Sequence, residues 1–182
     1  MTHPSTIRLQ GPRVLLREAR PEDVAARLAL GNDPAIQAMY GTDPTQVRPI
    51  TPEAAEAWVQ DKIDTPHSWV IEAEGQLLGA VRLHTVNRVD SRASIAIGLL
   101  SQETLGKGYG TEAMRLVATH AFETMGLHRL SCRVLANNPR AIAAYKKVGF
   151  VEEGRERESV RTGDGWQDDI LMGLLASDLR AG

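Results

Sequence analysis

Leu105-Gly106-Lys107-Gly108-Tyr109-Gly110-Thr111-Glu112-Ala113 is the stretch that decides how this chain is read. Its glycines alternate with Lys107 and Tyr109, and a helical pattern follows at once. The apolar run Ile95-Ala96-Ile97-Gly98-Leu99-Leu100 comes just before, so the order is strand, glycine loop, helix. Glycine lets the backbone turn and lets a ligand approach it closely. A helix start offers unpaired N–H groups and a partial positive charge, both suited to a phosphate. Successive amides in such a loop make an anion-binding nest. The spacing therefore predicts a pyrophosphate cradle. It is not a P-loop, because Gly108 rather than Ser or Thr follows Lys107. A dinucleotide fingerprint would place its third small residue at Thr111 or Ala113, but it should open a chain-leading βαβ unit. Kinase catalytic signatures are missing. A glycine-rich turn without a ligand is the plain alternative.

The loop has a companion in Asn138-Pro139-Arg140-Ala141-Ile142-Ala143-Ala144-Tyr145-Lys146-Lys147-Val148-Gly149-Phe150. In this order and separation, the pair resembles the acetyl-CoA-dependent N-acetyltransferases of the GNAT superfamily. The nearest branch is the one that includes ribosomal-protein alanine acetyltransferases. The resemblance runs from about Arg13 to Leu174. One position departs from it: Leu105 stands where many members carry Arg or Gln. The resemblance implies a mixed, mostly antiparallel sheet flanked by helices, with acetyl-CoA as co-substrate. It implies an acyltransferase for groups other than aminoacyl groups. A homodimer is a family expectation.

Composition sets the outer bounds. A chain of 182 residues suits one domain, 1–182, with one substantial core. The formal net charge of −2 lacks the basic excess of a nucleic-acid binder. Cys132 is the sole cysteine, and the histidines are scattered at 3, 67, 84, 120 and 128. That excludes a disulfide framework and gives no metal-binding pair. No apolar stretch approaches a membrane span, and Met1-Thr2-His3-Pro4-Ser5 has no signal-peptide character. A cytoplasmic enzyme is the expectation.

Along the chain, residues 13–19 read as a first strand and 21–31 as a helix opened by Pro21 and Glu22. A short segment over 33–40 and a loop over 41–50 follow. Thr51 caps a second amphipathic helix with Pro52 at its first position. In the family this early helical region lies over the acceptor site. Strands are expected over 68–73, 77–85 and 92–100, with Gly79 a candidate bulge. The next helix spans 111–125 and stops at Gly126. A strand over 130–135, a helix over 139–148 capped by Asn138, and a hairpin of 151–161 with 166–174 complete a mixed α/β sheet of about seven strands.

Acetyl transfer to an amine requires a held donor, a deprotonated acceptor and a protonated leaving thiolate. The resemblance puts the pyrophosphate on backbone N–H groups of Leu105, Gly106, Lys107, Gly108, Tyr109, Gly110 and Thr111. It puts the pantetheine arm along Gly98, Leu99 and Leu100, where its amides pair like an added strand. Gly98 also reads as a plain bulge. Asn138 caps its helix and is a second partner for the arm. Lys147 reads as a phosphate partner or as a solvated lysine. Tyr145 is the candidate acid, since a phenol can protonate a thiolate; the alternative is a half-buried aromatic with its hydroxyl at the rim.

The base is the open position, because Ser94 stands where relatives often carry Glu. Deprotonating a lysine-like amine near neutral pH costs about 4 kcal/mol, and an α-amine about 1 kcal/mol. An ordered water therefore suffices for an α-amine. Glu72 and His84 are further candidates on neighbouring strands. The acceptor is a small-molecule amine or a protein N-terminus. A non-catalytic acyl-CoA-binding protein of the same fold is the competing reading.

Overall fold

In the computed structural model, residues 7–163 and 165–180 are described. The chain opens with β1 (Leu9–Gln10) and β2 (Leu15–Arg17), then α1 (Asp23–Leu30), α2 (Pro34–Ala38) and α3 (Pro52–Asp64). A meander of β3 (Ser68–Ala73), β4 (Gln76–Asn87) and β5 (Arg92–Leu99) delivers the glycine loop and α4 (Tyr109–Thr119). There follow β6 (Arg129–Leu135), α5 (Pro139–Val148) and the hairpin β7 (Val151–Thr162) with β8 (Gly165–Leu175).

Local chemistry sets the ends of these elements. Thr51 Oγ1 accepts from the Ala54 amide at 3.2 Å, and Asn138 Oδ1 accepts from the Ala141 amide at 3.1 Å. Each satisfies a helix-start donor, and a proline follows each cap where its missing N–H does no harm. Asp33 caps α2 in the same way. The last turn of α4 widens to a π-turn over His120–Thr124 before Gly126 ends it.

The strands form one eight-stranded sheet of order β1-β2-β3-β4-β5-β6-β8-β7. Every neighbouring pair is antiparallel except β5 with β6. The strand beyond the expected seven is β1. The expected first strand shrinks to Leu15–Arg17, because the Arg13 and Val14 amides bond to Glu112 rather than to the sheet. The bulge expected at Gly79 falls beside it: Gly79 stays in register with Ile71, and the extra residue is Leu78.

Alternating strand residues feed two cores. Trp69, Ile71, Val81, Leu83 and Ile95 pack with Ala113, Met114 and Val117 of α4. Val70 and Leu77 pack on the other face with Ala19 and Val59. Arg17 ties α1 to the sheet, donating to Asp23 at 2.8 Å and to Glu72 at 2.6 Å. Among the described residues, no helix is long and apolar enough to cross a membrane.

Candidate active site

The parallel pairing of β5 with β6 covers three positions: Arg92 with Arg129, Ala93 with Leu130, and Ser94 with Ser131. Beyond them the strands part. Residues 95–99 of β5 pair with β4 alone, while β6 stays with β8. The Leu100 amide bonds to Leu78 on β4. Amides alternate direction along a strand, so those of Ile97 and Leu99 face the gap. The gap opens into a cavity of about 510 Å³ walled by Ile97, Leu99, the glycine loop and α5.

At one end lies the loop. Gly106 has φ +74° and Gly108 has φ +88°, a region in which a Cβ is strained. Gly108 is also the residue from which α4 springs, so the helix starts at Tyr109, two residues before the expected Thr111. A Cβ at Gly106 would meet nothing within 4 Å, so the loop backbone stands open there. The Leu105 amide is taken by the Gln102 carbonyl, which removes it from the expected cradle. Among the described residues, the amides from Gly106 to Thr111 have no backbone acceptor, as a nest at a helix start requires.

Arg13, which no local pattern singles out, braces the loop. Its backbone amide and Nε donate to Glu112 at 2.8 and 3.0 Å, and its Nη1 donates to the Lys107 carbonyl at 2.8 Å. Its guanidinium lies over the Tyr109 ring.

Of the other sequence-predicted residues, Leu105, Gly106, Gly108, Tyr109, Gly110, Thr111, Asn138, Tyr145 and Lys147 line this cavity with Leu99. Lys107 does not; its carbonyl belongs to Arg13. Gly98 and Leu100 line a second cavity instead. Arg140, in the first turn of α5, lines the main cavity and was marked only by its place beside the Asn138 cap. Arg133, Met39 and Tyr40 also line it without a sequence signal, and Asp169, of the acidic stretch 164–169, lines it too.

Tyr145 is 5% exposed, so its hydroxyl is not at the rim. The ring packs edge-on against Phe150 and the hydroxyl lies beside the Cys132 thiol. Burial, followed by the neighbouring Cys132, pushes the phenol well above its ordinary range. Burial also pushes the Cys132 thiol up to about 12, so neither group ionises near neutral pH.

The expected bases are engaged elsewhere. Glu72 accepts from Arg17. Ser94 Oγ lies 3.2 Å from Ser131 Oγ. His84 contacts Thr85, and burial with the charge of Arg82 lowers its pKa. It pairs with Ser94, four residues before Gly98, which is roughly 13 Å away by strand rise. The hairpin stretch 164–169 reads in sequence as a source of carboxylates for a cationic amine; Asp168 pairs with Arg155 and Asp169 with Arg133, and Asp164 lies outside the described residues. Trp69 is in the core, Trp166 is exposed, and Trp58 lines the second cavity. Among the described residues, no cluster of three or more His, Cys, Asp or Glu could hold a metal.

The second cavity, of about 250 Å³, lies between the sheet and α1–α3. It shares Tyr40, Ile97 and Leu99 with the first, so the two meet at the end of β5. The Tyr40 hydroxyl sits at this junction: a Cβ on Gly98 would lie 2.7 Å from it, and the Leu99 backbone hydrogen-bonds to it.

The family described as acetyltransferase (GNAT) domain matches residues 13–151. The protein named "Probable N-acetyltransferase YjcK" of Bacillus subtilis is 31% identical over 58% of this chain and 59% of its own length. The spermidine N(1)-acetyltransferase of Escherichia coli K12 is 29% identical over 78% of this chain and 74% of its own. The [ribosomal protein uS5]-alanine N-acetyltransferase of that strain is 24% identical over 60% and 56%. The matched stretch thus spans less than two thirds of YjcK and of the uS5 enzyme. Two solved structures share the fold at 24% identity. Mycobacterium smegmatis RimJ in complex with CoA-disulfide has a TM-score of 0.78, covering 100% of this chain and 93% of its own. Vibrio cholerae spermidine N-acetyltransferase with CoA and spermine has 0.75, covering 92% and 98%.

Proposed function

The chain belongs to the GNAT acetyltransferase family, and from that premise we propose that residues 1–182 act as one domain transferring acetyl from acetyl-CoA to a primary amine, by direct attack in a ternary complex. One observation carries the reading. The strand parting between β5 and β6 joins an open glycine nest to the buried phenol of Tyr145 in a single cavity. The loop amides from Gly106 to Thr111, with Arg140 and Lys147 nearby, suit a pyrophosphate. The Ile97 amide and the Asn138 side chain suit the amides of a pantetheine arm.

Acetyl-CoA supplies an acetyl thioester. The amine nitrogen forms the new C–N bond at the carbonyl carbon, and the C–S bond breaks. The amine proton passes to water, since Glu72 is paired with Arg17 and Asp169 with Arg133. Tyr145 gives its phenolic proton to the departing sulfur, and solvent restores it. The raised pKa keeps that proton on the phenol at neutral pH and makes the phenolate left behind a stronger base than a thiolate, so solvent reprotonates it at once. To give its proton the hydroxyl turns from the sulfur of Cys132 to that of the leaving group.

Thermal unfolding with acetyl-CoA, NAD and ATP, followed by thiol release with a panel of amines, tests this. Acetyl-CoA at a hundred times its Kd should stabilise by about 2.7 kcal/mol while NAD and ATP do not. Tyr145→Phe should lower kcat by about a hundredfold and keep the coenzyme-induced shift. Coenzyme stabilisation with no amine acetylated would favour the non-catalytic acyl-CoA-binding reading. Stabilisation by NAD or ATP alone would end both.

A further inference from the structure

We propose that the second cavity selects, as acceptor, a small primary amine that also carries an anionic group such as a carboxylate, and disfavours polyamines. The inference rests on the acetyltransferase reading and names the substrate class for it. It starts from the charges that line the cavity. Arg27 comes from α1, Lys62 from α3 and Arg82 from β4, and no Asp or Glu lines it.

Arg27 is the central group. It is 4% exposed, and its hydrogen bonds among the described residues go to neutral acceptors. Nη1 donates to the Gly31 carbonyl at 2.7 Å and Nη2 to Asn32 Oδ1 at 2.8 Å. Its Nε has no partner. Two of the five guanidinium donors are thus engaged, and Nε, on the side that grips a carboxylate in bidentate fashion, is buried and unpaired. The guanidinium also lies 5.5 Å from the Trp58 ring centroid, and Lys62 Nζ lies 5.0 Å from it. On the floor, Ser68 is 1% exposed and its Oγ has no partner. These are two buried polar groups from different elements, α1 and β3, each with an unpartnered atom, in residues that line one small cavity. A buried cation without a counter-ion and a buried hydroxyl without a partner each destabilise the free protein. An anion would satisfy both.

The neighbouring charges do not reverse the sign. Asp61 pairs with Lys62 and lies within electrostatic reach of Arg82, but it stands outside the lining. A polyamine would add further cations to a wall that already holds three. The volume of about 250 Å³ is below the usual range for drug-sized ligands, which fits a small amine. The junction at Tyr40, Ile97 and Leu99 gives its amine a route to the main cavity while the anion stays on Arg27.

Matched acceptors test the proposal: β-alanine and 4-aminobutyrate, each against its carboxamide, with spermidine alongside. Rates are expressed per unprotonated amine, at saturating acetyl-CoA. The carboxylates should exceed their carboxamides by more than tenfold in kcat/KM, mainly through KM, with spermidine lowest. Arg27→Gln should bring that ratio to within threefold of one. Arg82→Gln, at a less buried site, should reduce it severalfold and serves if the Arg27 variant does not fold. In both variants the stabilisation by coenzyme A should persist. Preference for spermidine or for the carboxamides, or no charge preference, overturns the proposal and leaves the acetyltransferase reading standing. No transfer to any amine despite coenzyme binding overturns both.

Discussion

Gly79 and Gly98 face each other's strands, yet substitution at the two should differ. A Cβ at Gly79 would lie 2.0 Å from the Gly98 carbonyl oxygen and 2.9 Å from the Leu99 Cα. Those are backbone atoms, so an alanine there forces β4 and β5 apart. Overpacking of this kind costs about 1–3 kcal/mol. At Gly98 the nearest atom is the Tyr40 hydroxyl, at 2.7 Å, the far end of a side chain from a residue that is 53% exposed. That ring can swing away, so Gly98→Ala should cost less than about 1 kcal/mol. Urea unfolding of both variants measures the difference, and a larger loss for Gly98→Ala would refute the close-approach account. The sequence marked Gly79 only as an irregularity in a strand. What the residue serves, the contact with a backbone some twenty positions on, has no local signature.

Elements held by local chemistry were legible; those held by distant partners were not. The starts of α3 and α5 follow from Thr51 and Asn138, because a cap and its proline sit side by side in the chain. The start of α4 was misplaced by two residues, since its N-cap is a left-handed glycine with no side chain to announce it. Its true anchor is Glu112, which accepts from the Arg13 and Val14 amides at 2.8 and 2.9 Å. That pairing, ninety-nine residues apart for Arg13, also explains why the first strand is short. Burial alone would raise the Glu112 pKa, but the two amides and the Arg13 guanidinium outweigh it and hold it below 4.5. A depressed carboxylate stabilises the fold above its unfolded pKa and loses that contribution as pH falls through the folded value. Glu112→Gln should therefore lower stability by about 1–2 kcal/mol at pH 7. The gap between variant and parent should close as the medium is acidified below 4.5. Denaturant midpoints across that range test this; a gap independent of pH would mean that the charge of Glu112 does not matter.

At the scale of the molecule, the main cavity was readable because two motifs, each continuous in sequence, form most of its walls. The second cavity was not, because its lining is gathered from six elements, α1, α2, α3, β3, β4 and β5, with Arg27 and Ser68 each alone from its own. No window of sequence brings Arg27, Trp58, Ser68 and Arg82 together; only the stacking of three helices on one sheet face does. The same architecture leaves the sheet joined across its middle by three residue pairs between β5 and β6. Past Ser94, the two parts are linked mainly through the packing of α4 and α5 on the core. A coenzyme lying in the parting would bridge β5 to α5 and take up amides that now face the gap. Hydrogen exchange should then slow at Ile97 and over residues 106–111, while amides of β7 at the far edge of the sheet that open only locally keep their rates. At a hundred times Kd, the slowing for amides that exchange only from the unbound site is about a hundredfold. Unchanged exchange at Ile97 and in the loop with saturating coenzyme A would show that the parting is not where it binds. The cavity would then be a consequence of sheet divergence alone, and the glycine nest would need another anion.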